Sequence, residues 1–145
     1  MDKHKAIIEI LSEYKSLVAR IRDIEMQIKE LESLDEIGVS AIDYSKDRIS
    51  QTFKFNSIVE NQAIRIADIT TILKAEKIHK EILKQRIDNA IDALNEEEKA
   101  VVKLKFIEGY KWYRVAIEIY KSERCCKQIG YRAIEKLEKI LFERG

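Results

Sequence analysis

The sequence predicts an all-α protein, and three observations support this fold class. The 145 residues include no proline and only 4 glycines, whereas average usage gives about seven prolines and ten glycines. Hydrophobic residues make up 46% and charged residues 37% of the chain, as in long helices with hydrated outer faces. Apolar residues also recur at helical spacing. We expect a long N-terminal helical hairpin or coiled coil, followed by a C-terminal three-helix helix-turn-helix module.

The first helix is predicted to run from Asp2 to about Leu34. Its apolar residues keep an a/d heptad pattern over nearly four repeats. These residues are Ile7, Ile10, Tyr14, Leu17, Ile21, Ile24, Ile28 and Leu31. One helix cannot bury such a stripe by itself, so it must pack against the same chain or against a second copy.

An irregular connector is predicted over residues 35–56. The helical period disappears there, and Gly38 lies among small, polar and isolated apolar residues. A connector of this length is unusual in a compact domain and suggests a function or mobility of its own.

A second long helix is predicted to begin after Asn56 or Ser57. Its apolar residues are Val59, Ile66, Ile69, Leu73, Leu83, Ile87, Ala90, Ile91 and Leu94. Gln62, Glu76 and Lys80 enter this seam, so looser packing is expected. The helix folds back on the first as a hairpin, or two copies exchange these faces as a dimer, and the sequence does not choose. Residues 1–94 form the first predicted domain.

Residues 95–145 form the second predicted domain, which begins with a well-capped helix. Asn95 is a favoured N-cap residue, and Glu98 at the third helical position completes a capping box. Glu96 and Glu97 lie in the first turn, where the helix dipole favours acidic side chains. This helix must end near Gly109.

Two further helices are predicted in the same module. A short helix runs from about Trp112 to Tyr120, and Ser122 caps a longer helix that continues to about Glu143. Brief turns connect the three helices, which is the arrangement of a helix-turn-helix motif.

This segment resembles region four of bacterial sigma factors and their phage-encoded relatives, from about residue 93 to residue 141. The resemblance rests on an acidic helix start, an apolar pair, a basic-aromatic pair, a glycine turn, a small residue in the short helix, a serine cap and a basic tail. These are Glu96 to Glu98, Val101-Val102, Lys105-Phe106, Gly109, Val115-Ala116, Ser122, Lys127-Gln128-Ile129 and Arg132 to Leu137. Arg114 and Lys111 depart from the family, which usually has Glu and a Ser or Thr cap at these positions.

The complete layout is similar to that of small phage transcriptional regulators of the ArpU and RinA type. The resemblance implies a DNA-binding activator of phage late genes that contacts double-stranded DNA and bacterial RNA polymerase. The coiled coil then serves for oligomerisation, as a homodimer through the N-terminal helices, or for contact with the polymerase.

Together with this resemblance, the charge order of the third helix predicts the residues that contact DNA. Cys126, Ile129, Ala133 and Leu137 are expected to face the core, which leaves a charged and polar face outside. Arg or Lys recognises guanine, Gln recognises adenine, and Glu accepts from cytosine. The residues assigned to base edges are Glu123, Arg124, Lys127 and Gln128. The residues assigned to phosphates are Lys111, Arg114, Lys121, Ser122, Tyr131, Arg132 and Lys136.

Other functions find little support in the composition. The net charge of +1 conceals 12 basic against 9 acidic residues from Asn95 onward. Cys125 and Cys126 are adjacent, which excludes a disulfide framework, and no catalytic set or metal-ligand spacing is visible. His4 and His79 are expected to be solvent-exposed, Trp112 to pack in the core, and Gly130 has no evident role. We expect a cytoplasmic protein that is not an enzyme, with no cofactor, no metal, no signal peptide and no membrane span.

Two alternative functions stay open at this point. A small phage terminase subunit would use the long helices to build a ring for DNA packaging. An adaptor that docks on RNA polymerase without reading DNA would need no sequence preference.

Overall fold

The computed structural model describes the backbone of residues 2–44 and 52–143, with the side chains of residues 2–36 and 60–143. The predicted all-α class is confirmed, because these residues form helices and turns and include no strand. The helices are α1 (Lys3–Ser12), α2 (Tyr14–Tyr44), α3 (Thr52–Asp92), α4 (Glu96–Val101), α5 (Trp112–Ile119) and α6 (Glu123–Phe142). A π-helical segment, Val102–Ile107, continues α4.

The chain divides into two compact units. The first unit combines Met1–Ala19 with Ile82–Gly145, and the second is Arg20–Glu81. This division differs from the boundary predicted between residues 94 and 95. The reason is that α1 packs against α6, so the beginning of the chain belongs with the C-terminal helices.

The connector predicted over residues 35–56 is shorter than expected. Residues 35–44 continue α2 and residues 52–56 already belong to α3, while residues 45–51 lie outside the described part of the chain. Gly38 therefore does not end α2, since a single glycine within a helix costs only about 1 kcal/mol relative to alanine. The start predicted after Asn56 or Ser57 is likewise wrong, because α3 begins at Thr52.

The first predicted helix is interrupted at Glu13. The carbonyl of Glu9 accepts the regular helical bond from the N–H of Glu13 at 3.1 Å and also a bond from the hydroxyl of Ser12 at 2.7 Å. A side-chain bond of this second kind competes with the regular helical pattern and bends helices. The heptad stripe is nevertheless inward-facing along its length, since all eight of its residues are buried or half-buried.

In the second unit, α2 and α3 pack through a small apolar cluster. Ile24, Ile28 and Leu73 are buried there, with Leu31 against them. Ion pairs border the cluster. Lys77 Nζ lies 3.4 Å from Glu25 Oε1, and Arg20 Nη2 lies 3.6 Å from Glu76 Oε1. The looser packing predicted for this helix stays a prediction.

The seam predicted for α3 is only partly correct. Leu73, Ile87, Ala90, Ile91 and Leu94 are buried, whereas Ile69 and Leu83 are exposed. Glu76 and Lys80 form an ion pair across one helical turn, with Lys80 Nζ 3.9 Å from Glu76 Oε1. They are therefore not unpaired charges in the seam. The hairpin predicted for the two long helices stays a prediction.

The first unit has two apolar clusters. The larger one joins α1, the end of α3, the π-helical segment and α6. Its buried residues are Ile7, Leu11, Ile87, Ala90, Ile91, Leu94, Val102, Ala133, Ile134 and Leu137. The smaller cluster lies between α4, α5 and α6. Its buried residues are Val101, Val115, Cys126 and Ile129.

The helix starts predicted for the C-terminal module are confirmed, but the helix that begins after Asn95 is not α-helical throughout. The Asn95 side chain accepts from the N–H of Glu98 at 2.9 Å, and the Glu98 carboxylate accepts from the N–H of Asn95 at 3.2 Å. The helix after this cap ends near Gly109, as predicted, but its last part is π-helical from Val102, and the N–H of Glu108 donates to the carbonyl of Lys103, five residues back. Val101 and Val102 lie in separate clusters, because neighbouring residues point about 100° apart around a helix.

Candidate nucleic-acid interface

The buried face of α6 fixes which side chains this helix exposes. Cys126, Ile129, Ala133 and Leu137 are buried as predicted, and Ile134 is buried with them. The hydroxyl oxygen of Ser122 accepts from the N–H of Cys125 at 3.1 Å and caps the helix. The side of α6 opposite these buried residues is therefore exposed from the first turn after the cap.

The four residues assigned to base edges all lie on this exposed face. Glu123, Arg124, Lys127 and Gln128 are exposed, and their spacing places them within the first two turns of α6. Arg124 and Lys127 form no ion pair with any residue that the structure describes. Two cations, one amide and one carboxylate are thus free to bind a partner along one short stretch of helix.

The short helix α5 packs beside α6 through small apolar side chains. Val115 is fully buried, and Ala116 and Ile119 pack on the same cluster. Tyr120 ends α5 in a left-handed conformation with φ 58°, a conformation that costs most residues about 1–3 kcal/mol. Lys111 occupies the N-cap position but makes no side-chain capping bond, as its departure from the Ser or Thr of the resembling family suggests.

Apart from the cap residue Ser122, the residues assigned to phosphates fall into two groups. Four are exposed side chains without an ion pair to a described residue, and two are lysines paired with glutamates. Lys111 and Arg132 are exposed and form no ion pair with any described residue. Arg114 is exposed too, but its guanidinium lies 4.1 Å from the ring centre of Tyr110. Tyr131 is exposed, with its ring centre 5.9 Å from that of His4.

The ammonium groups of Lys121 and Lys136 are both held by glutamates at the start of α4. Lys121 Nζ lies 2.6 Å from Glu97 Oε1, and Lys136 Nζ lies 2.8 Å from Glu98 Oε1. The hydrogen bond from Lys121 and its charge lower the pKa of the Glu97 carboxyl, and the charge of Arg132 adds to this effect. The same hydrogen bond raises the pKa of Lys121.

Glu98 is a buried carboxylate that sequence reasoning identified only as a capping residue. Its side chain is 2% exposed, and burial of a charge is costly unless it is paired. Oε1 accepts from both Asn95 and Lys136, whereas Oε2 has no hydrogen-bond partner among the described residues. Lys136 is therefore part of the packing of α4 on α6, and the phosphate contact predicted for it is not supported.

Replacing Lys136 with methionine is expected to lower the free energy of unfolding by about 1–3 kcal/mol, because the Glu98 carboxylate stays buried without its cation. The half-exposed lysine keeps this value below that of a fully buried pair. Urea unfolding followed by circular dichroism measures the change. Lys139→Met is the matched control, since Lys139 is exposed on the same helix and has no ion pair with a described residue. Equal stability of the two variants would contradict a structural role for Lys136.

Gly130, which had no role at the level of sequence, permits the close approach of an aromatic ring. A Cβ atom at this position would lie 2.9 Å from Cη2 of Trp112 and 3.5 Å from Cγ1 of Val101. The Trp112 ring packs in the smaller cluster, as predicted, with its edge toward Phe106 at a centroid distance of 6.2 Å. The glycine thus lets α5 and α6 approach each other.

The two cysteines and the two histidines differ in burial. Burial raises the pKa of the Cys126 thiol, and Cys125 is half-buried against the same cluster. His79 is exposed as predicted, but His4 is half-buried, with Nδ1 4.0 Å from Glu138 Oε1. Among the described residues, no group of three or more His, Cys, Asp or Glu side chains is placed to hold a metal ion. None of the helices in this part of the chain combines the length and apolar character of a membrane span.

One comparison with known proteins gives a family. A family model described as "Protein of unknown function (DUF722)" matches residues 3–139. The chain belongs to this family. The match includes the N-terminal helices as well as the module that carries the exposed face of α6. No curated protein and no solved structure matches the chain.

Proposed function

We propose that this chain is a sequence-specific DNA-binding transcriptional regulator. One observation carries the proposal, namely the exposed first two turns of α6 opposite a fully apolar buried face. A helix of this kind fits the major groove of B-form DNA, which is about 12 Å wide. The helix cap at Ser122 and the close packing of α5 keep this part of α6 in a fixed orientation.

Base recognition is assigned to Glu123, Arg124, Lys127 and Gln128. Arg124 and Lys127 supply the donors that guanine N7 and O6 accept, and the Gln128 amide both donates and accepts, as adenine requires. Glu123 supplies an acceptor for the amino group of cytosine. A mixed set of this kind supports sequence reading, because a surface that binds phosphates alone needs only cations.

Phosphate contacts are assigned to side chains around this face. Lys111 and Arg132 are exposed cations without a described ion pair, and Arg114 and Tyr131 lie exposed beside them. Lys121 and the cap residue Ser122 stand at the beginning of α6, where the helix dipole also favours a phosphate. Such contacts provide affinity and fix the position on the duplex, without reading its sequence.

The decisive test is binding to the DNA upstream of the gene and its neighbours in a mobility-shift assay. We expect the wild-type chain to form a specific complex and Arg124→Ala plus Lys127→Ala to weaken it about a hundredfold, since each base contact contributes about 1–3 kcal/mol. Lys103→Ala plus Lys139→Ala removes two exposed cations from other parts of the module and serves as the control. If the two double variants bind equally well, the assigned DNA face is wrong.

The wider function that we propose is activation of phage late genes in the cytoplasm, as a binding protein and not as an enzyme. The N-terminal helices would serve for homodimer formation or contact with RNA polymerase. Mass in solution separates this proposal from packaging, since a terminase subunit would form a ring of many copies. Sedimentation as a monomer or dimer would agree with a regulator.

A further inference from the structure

Glu97 places a negative charge against the cations that the proposed DNA interface needs. Its Oε1 atom lies 2.6 Å from Lys121 Nζ, one residue before the cap of α6. Arg132, on the same helix, also acts on this carboxylate through its charge. A DNA phosphate that binds Lys121 would therefore have to replace the Glu97 carboxylate as the partner of this lysine.

We propose that Glu97 is an internal competitor of the DNA phosphates and limits the affinity of the interface by holding Lys121. This inference rests on the proposed DNA-binding function. It adds to the proposed surface a carboxylate that pairs with one of the cations assigned to phosphates. The contact was not visible in the sequence, because Glu97 lies in α4 and Lys121 in the turn between α5 and α6, with all of α5 between them.

The exposure of the pair makes the exchange feasible. The Glu97 side chain is 53% exposed and that of Lys121 is 34% exposed, so water reaches both groups and the pair is worth little free energy. A phosphate can therefore take the lysine from Glu97 at small cost. The neighbouring Glu98–Lys136 pair differs in this respect, because its carboxylate is almost completely buried.

Counterion release sets the salt dependence of the expected effect, and the strength of the ion pair sets its size. Each phosphate neutralised by a cation contributes about −0.9 to the slope of log K against log salt concentration. A cation that Glu97 already neutralises contributes less than this to DNA binding. Because an exposed ion pair is worth little, freeing this cation raises the association constant only about two- to fivefold at low salt.

Glu97→Gln tests the inference, and the same first turn of α4 offers a matched control. Glu96→Gln makes the same change of charge and shape, but Glu96 is 94% exposed and contacts Lys99 of its own helix. The probe is a fluorescent duplex of about 30 base pairs of random sequence, titrated over a series of salt concentrations, because phosphate contacts need no operator. We expect Glu97→Gln to bind about two- to fivefold more tightly at roughly 0.1 M salt, with a steeper salt slope, and Glu96→Gln to change affinity much less.

Lys121→Gln completes the experiment. In this background, Glu97→Gln is expected to lose most of its effect, because the cation that it frees is absent. The inference is overturned if Glu97→Gln weakens binding, if it strengthens binding no more than Glu96→Gln does, or if its full effect persists without Lys121. Absence of DNA binding by the wild-type chain itself would instead refute the proposed function, and the inference with it. Thermal unfolding of each variant checks that the module is folded.

Discussion

Replacing Ile7 with alanine should lower the free energy of unfolding of the first unit by about 2–5 kcal/mol. Ile7 lies on α1, far in sequence from the C-terminal module, yet it is fully buried. It shares the larger apolar cluster with Ile87, Ile134 and Leu137. Truncation to alanine removes its apolar surface from this cluster and leaves a cavity. Since small domains are stable by only about 5–15 kcal/mol, such a loss is large.

Ile117→Ala is the matched control for this prediction. The same change of side chain occurs there on α5, where Ile117 is 67% exposed, and surface substitutions change stability by only about 0.5 kcal/mol. Urea unfolding followed by circular dichroism compares the two variants. A loss of stability in Ile7→Ala no greater than that in Ile117→Ala would show that α1 does not share the core of the C-terminal helices.

Gly130→Val should destabilise the module by about 1–3 kcal/mol, as expected for overpacking of a dense core. The Cβ atom would approach Cη2 of Trp112 to 2.9 Å, Cγ1 of Val101 to 3.5 Å and Cε2 of Phe106 to 3.7 Å, so the added side chain meets three neighbours at once. Replacing a glycine with valine in the interior of a helix would by itself stabilise α6 by only about 0.3–0.5 kcal/mol. A net loss therefore indicates that the steric contact dominates.

Fluorescence and a rescue variant test this explanation. Trp112 is the sole tryptophan of the chain, so its emission should shift to the red if the added side chain displaces the ring. In a Trp112→Leu background, Gly130→Val should cost less than in the wild-type chain, because the ring that it meets is absent. An equal cost in both backgrounds would mean that Trp112 is not the reason for the glycine.

Local patterns in the sequence predicted those parts of the fold that depend on neighbouring residues. Asn95 and Glu98 identified the beginning of α4, and Ser122 identified the beginning of α6, because capping depends on residue types within one turn. The helical period likewise identified Cys126 and Ile129 as buried and Arg124 as exposed. These features follow from residues that are close in sequence.

Contacts between distant residues could not be predicted in the same way. The burial of Glu98 against Lys136, and the place of Ile7 in the core of the C-terminal helices, depend on how the helices pack. The connector was overestimated because Gly38 interrupted the apolar period, although it did not interrupt the backbone hydrogen bonding of α2. For the candidate interface, the exposed face of α6 was predicted correctly, whereas the ion pair between Glu97 and Lys121 was not predicted.

The joining of α1 to α6 has a consequence for the order of folding during synthesis. Ile7 and Leu11 leave the ribosome more than a hundred residues before Ile134 and Leu137, which share their cluster. The larger cluster of the first unit cannot close until α6 has been made. A growing polypeptide that lacks α6 thus exposes the apolar side of α1, and α6 reaches its packed orientation only after the helices before it have been synthesised.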